Sequence, residues 1–178
     1  MNNIEAEIRS FLSKEQYEKL LVFFNHNAKL LKEDYQETFY FDSEQDLRIQ
    51  RNNFYSKIWM KKGKIHDEHR EEIEIKFDRE YFEELEKLFL ALGFNVQIKW
   101  YRKRCEFQWE DIIVCLDYTK GYGYIIELEK MTSEIEKEKV YEILTQKIKS
   151  LGVDITSKEE FDKKYQYYKN NWKSLTNE

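Results

Sequence analysis

Polar and apolar positions alternate one by one through Ile4-Glu5-Ala6-Glu7-Ile8-Arg9. In an extended chain this sets two carboxylates and a guanidinium on one face and Ile4, Ala6 and Ile8 on the other. Alternate charge returns at Leu47-Arg48-Ile49-Gln50, Arg70-Glu71-Glu72-Ile73-Glu74-Ile75, Arg102-Lys103-Arg104 and Ile126-Glu127-Leu128-Glu129, mostly with aliphatic side chains between. The pattern predicts strands over residues 2–10, 29–42, 46–51, 54–62, 70–77, 95–107, 111–118 and 122–131. Asn52-Asn53 and Thr119-Lys120-Gly121 supply turns, and Gly63 to Asp67 reads as a mobile connection.

A period near 3.6 predicts helices between and after the strands. Ser13 caps a helix from about Lys14 to Asn25, with Gln16 completing a capping box and Tyr17, Leu20, Leu21 and Phe24 on its apolar face. Asp78 is placed to cap a second, with Phe82, Leu85, Leu88, Phe89 and Leu92 on one side and Gly93 at its end. Ser133 with Glu136 predicts a third, facing the sheet through Val140, Ile143, Leu144, Ile148 and Leu151. Ser157 with Glu160 predicts a fourth, whose Phe161, Tyr165, Tyr168 and Trp172 read as packing residues rather than a base-stacking platform.

The predicted class is α+β, with about eight strands. Among the 178 residues there is no proline, repeat or linker, so one domain over 1–178 is expected, with C-terminal helices at about 133–172 packed on the sheet. With 41% hydrophobic and 37% charged residues, the chain is a folded, highly charged globule. A net charge of -5 argues against a partner such as duplex nucleic acid, which rewards clustered Lys and Arg. The strand at the N-terminus has no apolar leader core, and no stretch approaches the roughly 20 apolar residues of a membrane span. A cytoplasmic location without membrane association is the expectation.

Cys105 and Cys115 lack CxxC spacing and read as reduced thiols. Strand alternation puts Cys105 out of phase with Arg102 and Arg104, and Cys115 in phase with Asp117, so no disulfide is predicted. His66-Asp67-Glu68-His69 falls in the predicted connection and is assigned no role.

The aliphatic positions belong under the helices, which leaves the charged face inward. Buried charge is costly unless paired or bound, so such a lining calls for water and ligand. Arg and Lys suit phosphate oxygens, and clustered carboxylates suit hard cations such as Mg²⁺ or Mn²⁺. A polyphosphate with its cation meets both demands.

The segments also match, in order, a set of known motifs. Glu5-Ala6-Glu7-Ile8-Arg9 stands for ExExK, Leu47-Arg48-Ile49-Gln50 for LRxR, and Lys61 lies in Trp59-Met60-Lys61-Lys62-Gly63. Arg70-Glu71-Glu72-Ile73-Glu74 stands for RxExE, and Arg102-Lys103-Arg104-Cys105-Glu106-Phe107 for K/R-x-R-x-x-aromatic. Leu116-Asp117 and Gly121-Tyr122-Gly123-Tyr124-Ile125-Ile126-Glu127-Leu128-Glu129 stand for LD and GxGxxxExE. The chain thus resembles the CYTH superfamily of class IV adenylyl cyclases, thiamine triphosphatases and other triphosphate tunnel metalloenzymes. The segment from Ser157 to Tyr168 is similar to the tail of its cyclase-like branch.

The resemblance implies an eight-stranded antiparallel β tunnel, or barrel, with a charged interior and helices outside. It implies Mg²⁺ or Mn²⁺ held by Glu5, Glu7, Glu74, Glu127 and Glu129, and triphosphate held by Arg9, Arg48, Lys61, Arg70, Arg102 and Arg104. Catalytic roles fall to Glu5, Glu7, Glu72 and Asp117. The implied activity is conversion of ATP to cyclic AMP and pyrophosphate, with hydrolysis of tripolyphosphate, thiamine triphosphate or a nucleoside triphosphate as the alternative. A non-catalytic nucleotide or polyphosphate sensor is the third reading, and a monomer or homodimer the expected assembly. Two positions depart from the motifs. Arg9 replaces the usual Lys and, staying charged, suits phosphate gripping rather than proton transfer. Gln50 replaces a second Arg, and Arg51 points to the opposite face unless a bulge intervenes. A one-residue slip would substitute Lys62 for Lys61.

Overall fold

A computed structural model describes residues 4–61 and 72–178, with Lys61 and Glu72 described through their backbone. In chain order the elements are β1 (Ile4–Leu12), α1 (Lys14–Asn27), β2 (Lys29–Phe41), β3 (Asp46–Arg51), β4 (Ser56–Lys61), β5 (Glu72–Phe77), α2 (Phe82–Ala91), β6 (Val96–Trp109), β7 (Ile112–Thr119), β8 (Gly123–Thr132), α3 (Lys137–Ser150) and α4 (Lys158–Thr176). The strands form one antiparallel sheet in the order β1-β8-β7-β6-β2-β3-β4-β5, so β1 and β5 are its two end strands among the described residues. The α+β class and the eight strands are those expected from the alternation. No helix among the described residues is long and apolar enough to cross a membrane.

Two compact units divide the chain: Met1–Glu33 with Lys103–Tyr168, and Asp34–Arg102 with Lys169–Glu178. In the first, Ile8 and Leu12 of β1, Val114 and Leu116 of β7 and Ile126 and Leu128 of β8 pack against Tyr17, Leu20 and Phe24 of α1 and Val140, Leu144 and Ile148 of α3. Each fully buried aliphatic side chain contributes roughly 1.5–3 kcal/mol, so the apolar half of the alternation anchors the strands and fixes which face their charges take. In the second, Phe39, Phe41 and Ile49 pack against Phe82 and Phe89 of α2.

Ser13 caps α1 as expected. Its Oγ accepts the Gln16 N–H at 3.1 Å, and Gln16 Oε1 accepts the Ser13 N–H at 2.9 Å. Replacing Ser13 with alanine is expected to cost about 1 kcal/mol, read as a lower urea midpoint; an unchanged midpoint would remove the box from the helix's stability. Just before that cap, at the C-terminal end of β1, Thr156 links to the strand twice, its Oγ1 accepting the Phe11 N–H and its own N–H donating to Ser10 Oγ, both at 2.9 Å.

Several boundaries move for local reasons. β4 starts at Ser56 because Asn52 Oδ1 accepts the N–H of Phe54 at 2.8 Å and of Tyr55 at 2.9 Å, which prolongs the turn. Asp78 forms no side-chain cap, and a 3₁₀ turn at Arg79–Tyr81 precedes α2. Ser133 likewise does not cap α3. Its carbonyl takes the Glu136 N–H at 3.1 Å, closing a turn, and Glu136 becomes the N-cap. At α4, Ser157 Oγ accepts the Glu160 N–H at 3.2 Å. Phe161, Tyr168 and Trp172 are buried, in keeping with a packing role. The predicted connection at 63–67, His66 to His69 and Arg70 lie outside the described residues.

Candidate functional site

In the first unit the apolar positions of β1, β7 and β8 face the core, so their partners share the opposite face. Antiparallel pairing sets Glu7 opposite Glu129 and Arg9 opposite Glu127. On the other flank of β8, Cys115 lies opposite Glu127 and Ile113 opposite Glu129. Arg104 reaches this face from β6. Its Nε and Nη2 donate to the two Asp117 oxygens at 2.9 and 2.7 Å, and Nη2 lies 3.6 Å from Glu127. The pair is almost dry, with side-chain exposures of 17% and 4%. Burial disfavours the Arg104 charge, but Asp117, then Glu127, outweigh it and hold its pKa far above the ordinary value.

Glu129 and Glu7 are both held toward their protonated forms. Burial, then hydrogen bonding and repulsion from Glu127 and Glu5, push the Glu129 pKa well above the carboxylate range. Glu7 is raised by desolvation and then by Glu127, against the pull of Arg9. Like charges directly opposite on a sheet destabilise it, which a cation or a retained proton would relieve. The ligand atoms of Cys115, Glu127 and Glu129 lie within 4.8 Å of one another. Two carboxylates at that spacing, with Glu7 opposite Glu129, fit a divalent metal ion. Arg9 has its guanidinium carbon 4.7 Å from the centre of the Phe161 ring.

In the second unit Arg48, Trp59 and Glu74 form one row across β3, β4 and β5. Asp46 grips Arg48 with both oxygens, at 2.6 Å to Nε and 2.5 Å to Nη2. The guanidinium carbon sits 4.3 Å from the Tyr40 ring centre and 5.6 Å from that of Trp59. Glu74 accepts from Lys57 at 2.6 Å; burial opposes its charge, but Lys57 and Lys76 prevail and its pKa is lowered. Arg102 donates to Gln36 Oε1 through Nε at 2.9 Å and Nη2 at 2.5 Å. Gln50 is buried and bonds Thr38 Oγ1 at 2.9 Å. Arg51 bonds Glu37 at 2.6 Å, pairs with Glu83 and lies against Phe82 of α2, so it points to the helical side without a bulge. The backbone of Lys61 lies opposite Glu72 and Asp46.

The family model of the CYTH domain matches residues 3–160. The chain belongs to the CYTH domain family. A protein of Methanocaldococcus jannaschii named "putative adenylate cyclase" is 32% identical over 169 residues, 84% of this chain and 90% of that protein. A solved structure from Pyrococcus horikoshii superposes with a TM-score of 0.67 at 24% identity, covering 85% of this chain and 92% of that one. A "putative adenylyl cyclase" from Hippeastrum, described as having a dominant triphosphatase activity, gives 0.63 at 22% identity, covering 88% and 93%. These two structures establish likeness of fold.

Within this CYTH domain the first unit gathers Glu5, Glu7, Arg9, Arg104, Asp117, Glu127 and Glu129 on one face. The second places Arg48 and Glu74 in one row and ties Arg102 to Gln36. Motif reading missed three partners, Asp46 under Arg48, Gln36 on Arg102 and Lys57 on Glu74, whereas alternation had already put Cys115 on the face of Asp117. Asp46 was within reach of pattern reading, being two residues before Arg48 and so on its face. Gln36 and Lys57 come from neighbouring strands and needed the register.

Proposed function

We propose that this CYTH domain is a divalent-cation-dependent enzyme that takes a triphosphate substrate and converts ATP to cyclic AMP and pyrophosphate. The observation that carries the reading is the clustering of Glu7, Glu127 and Glu129 on one face, with Glu7 opposite Glu129, beside an Arg104 locked by Asp117. The Methanocaldococcus relative's name favours the cyclase. Hydrolysis of the triphosphate is the second reading, favoured by the activity described for the Hippeastrum protein.

In this reading Glu127 and Glu129 hold Mg²⁺ or Mn²⁺, with Glu5 and Glu7 as further acidic ligands in the same unit, and Glu74 is an acidic group of the second unit's own row. The ion would supply neutralisation of phosphate charge and polarisation of the attacked centre. Arg104 presents a guanidinium already oriented by Asp117, so little side-chain entropy is lost when it grips a phosphate oxygen. Arg48, fixed by Asp46, and Arg102, fixed by Gln36, serve the same chemistry, as do Arg9, Lys61 and Arg70. Asp117 acts through Arg104, and Glu72 is assigned to orienting the attacking oxygen. Phosphoryl and nucleotidyl transfer need mostly this positioning and charge neutralisation.

Incubation with ATP, tripolyphosphate and thiamine triphosphate in Mg²⁺ or Mn²⁺ tests the reading. Cyclic AMP with pyrophosphate supports the cyclase, orthophosphate the hydrolase, and tight binding without product the sensor. The double change Glu5→Gln with Glu7→Gln is expected to lower turnover by at least about 100-fold, since even outer partners of a metal cost 10–100-fold. Undiminished turnover would remove both residues from the site.

A further inference from the structure

The acidic face of the first unit carries one donor of a different kind. Cys115 follows the alternation of β7 onto the side of Asp117, directly opposite Glu127. Its residue is 1% exposed, and among the described residues it has no hydrogen bond or ion pair; burial raises the thiol pKa, and Arg104, Glu129, Glu127 and Asp117 act on it through their charges. Its sulfur lies with one oxygen each of Glu127 and Glu129 in a group whose members are all within 4.8 Å. A thiol that only filled space would serve as well on the apolar side, where Cys105 sits in the core among Phe24 and Phe107. Placed here, it converts an all-oxygen set into a sulfur-and-oxygen one.

Oxygen donors favour Mg²⁺ and Mn²⁺, whereas thiolate favours Zn²⁺ and its softer congener Cd²⁺. We propose that Cys115 is a direct third donor to the ion held by Glu127 and Glu129, so that this site takes thiophilic divalent cations in preference to Mg²⁺. The inference rests on the reading of that face as a cation site. On coordination the sulfur–metal bond forms as the sulfur–hydrogen bond breaks, and the proton passes to buffer. Zn²⁺ is then a competitor of the ion that serves turnover, and the chain's activity becomes dependent on the ratio of the two.

Titration of the metal-free protein with Cd²⁺, followed by thiolate-to-cadmium charge-transfer absorption in the ultraviolet, reads the bond directly. The band is expected to rise to one Cd²⁺ per chain in the parent and in Cys105→Ala, and to be absent in Cys115→Ser. Cys115→Ser is expected to weaken Cd²⁺ by at least about 10–100-fold, the loss seen even for outer partners of a metal, and to leave Mn²⁺ binding nearly unchanged. A band that persists in Cys115→Ser, or none in the parent, overturns the assignment. Thermal stabilisation by Mn²⁺ separates the two levels of the argument. If Mn²⁺ stabilises the parent but not Glu127→Gln and no cadmium band forms, the sulfur donor alone fails. If Mn²⁺ stabilises neither, the cation site itself fails.

Discussion

Arg104→Ala is expected to lower the unfolding free energy by about 3–5 kcal/mol, because removal of one partner leaves a buried charge uncompensated. Asp117 would keep a carboxylate that is 4% exposed and loses both guanidinium hydrogen bonds. The group next to it is Glu127, 3.6 Å from the same nitrogen, so the excess negative charge would extend along the row. Urea unfolding reads the loss. Arg104→Met combined with Asp117→Leu is expected to regain most of it, since a dry ion pair exchanged for apolar side chains of similar volume is often neutral. A single-variant cost below about 1 kcal/mol, the worth of a surface pair, would show that water reaches this pair after all.

The second large effect is on pH. The Glu129 pKa is raised from 4.5 to about 10 by burial, then by Glu127 and Glu5, and that of Glu7 is raised in the same sense. A folded state that keeps a proton the unfolded chain has released loses stability as pH rises, starting at the unfolded value of 4.5 and levelling off only near 10. The metal-free protein is therefore expected to melt progressively lower across that interval. On the proposed function Mn²⁺ should reverse the trend by binding the deprotonated row: at 100 times its dissociation constant it would add about 2.7 kcal/mol. Glu129→Gln should flatten the pH profile and abolish the Mn²⁺ response together. A melting temperature independent of pH between those limits would mean that the carboxylates are already neutralised by the protein itself.

Much of this was legible from alternation alone. Ile8, Ile126 and Leu128 reach the core and Glu7, Glu127 and Glu129 the other face because a strand has a period of two and an apolar core fixes its phase. The opposite orientations of Cys105 and Cys115, and of Gln50 and Arg51, followed from the same rule. Capping motifs were a weaker guide. Ser13 and Gln16 close a full box, whereas Ser133 spends its carbonyl on a turn and Asp78 yields to a 3₁₀ segment, choices made by local hydrogen bonding that the residue types alone do not decide. The pairs Arg102–Gln36 and Lys57–Glu74 join strands whose alignment no single segment encodes. The proximity of Cys115 to Glu127 likewise depended on knowing that the two residues face each other across β7 and β8.

Thr156 has a consequence for colloidal behaviour. A terminal strand offers unsatisfied amides to any extended peptide, and such rims seed intermolecular β-addition. At Phe11 that amide is already spoken for by the threonine hydroxyl, on the side away from Ile125. The short linker preceding α4 thus acts as a guard against self-templating at this rim, and its loss would show first as clumping of the purified protein at high concentration.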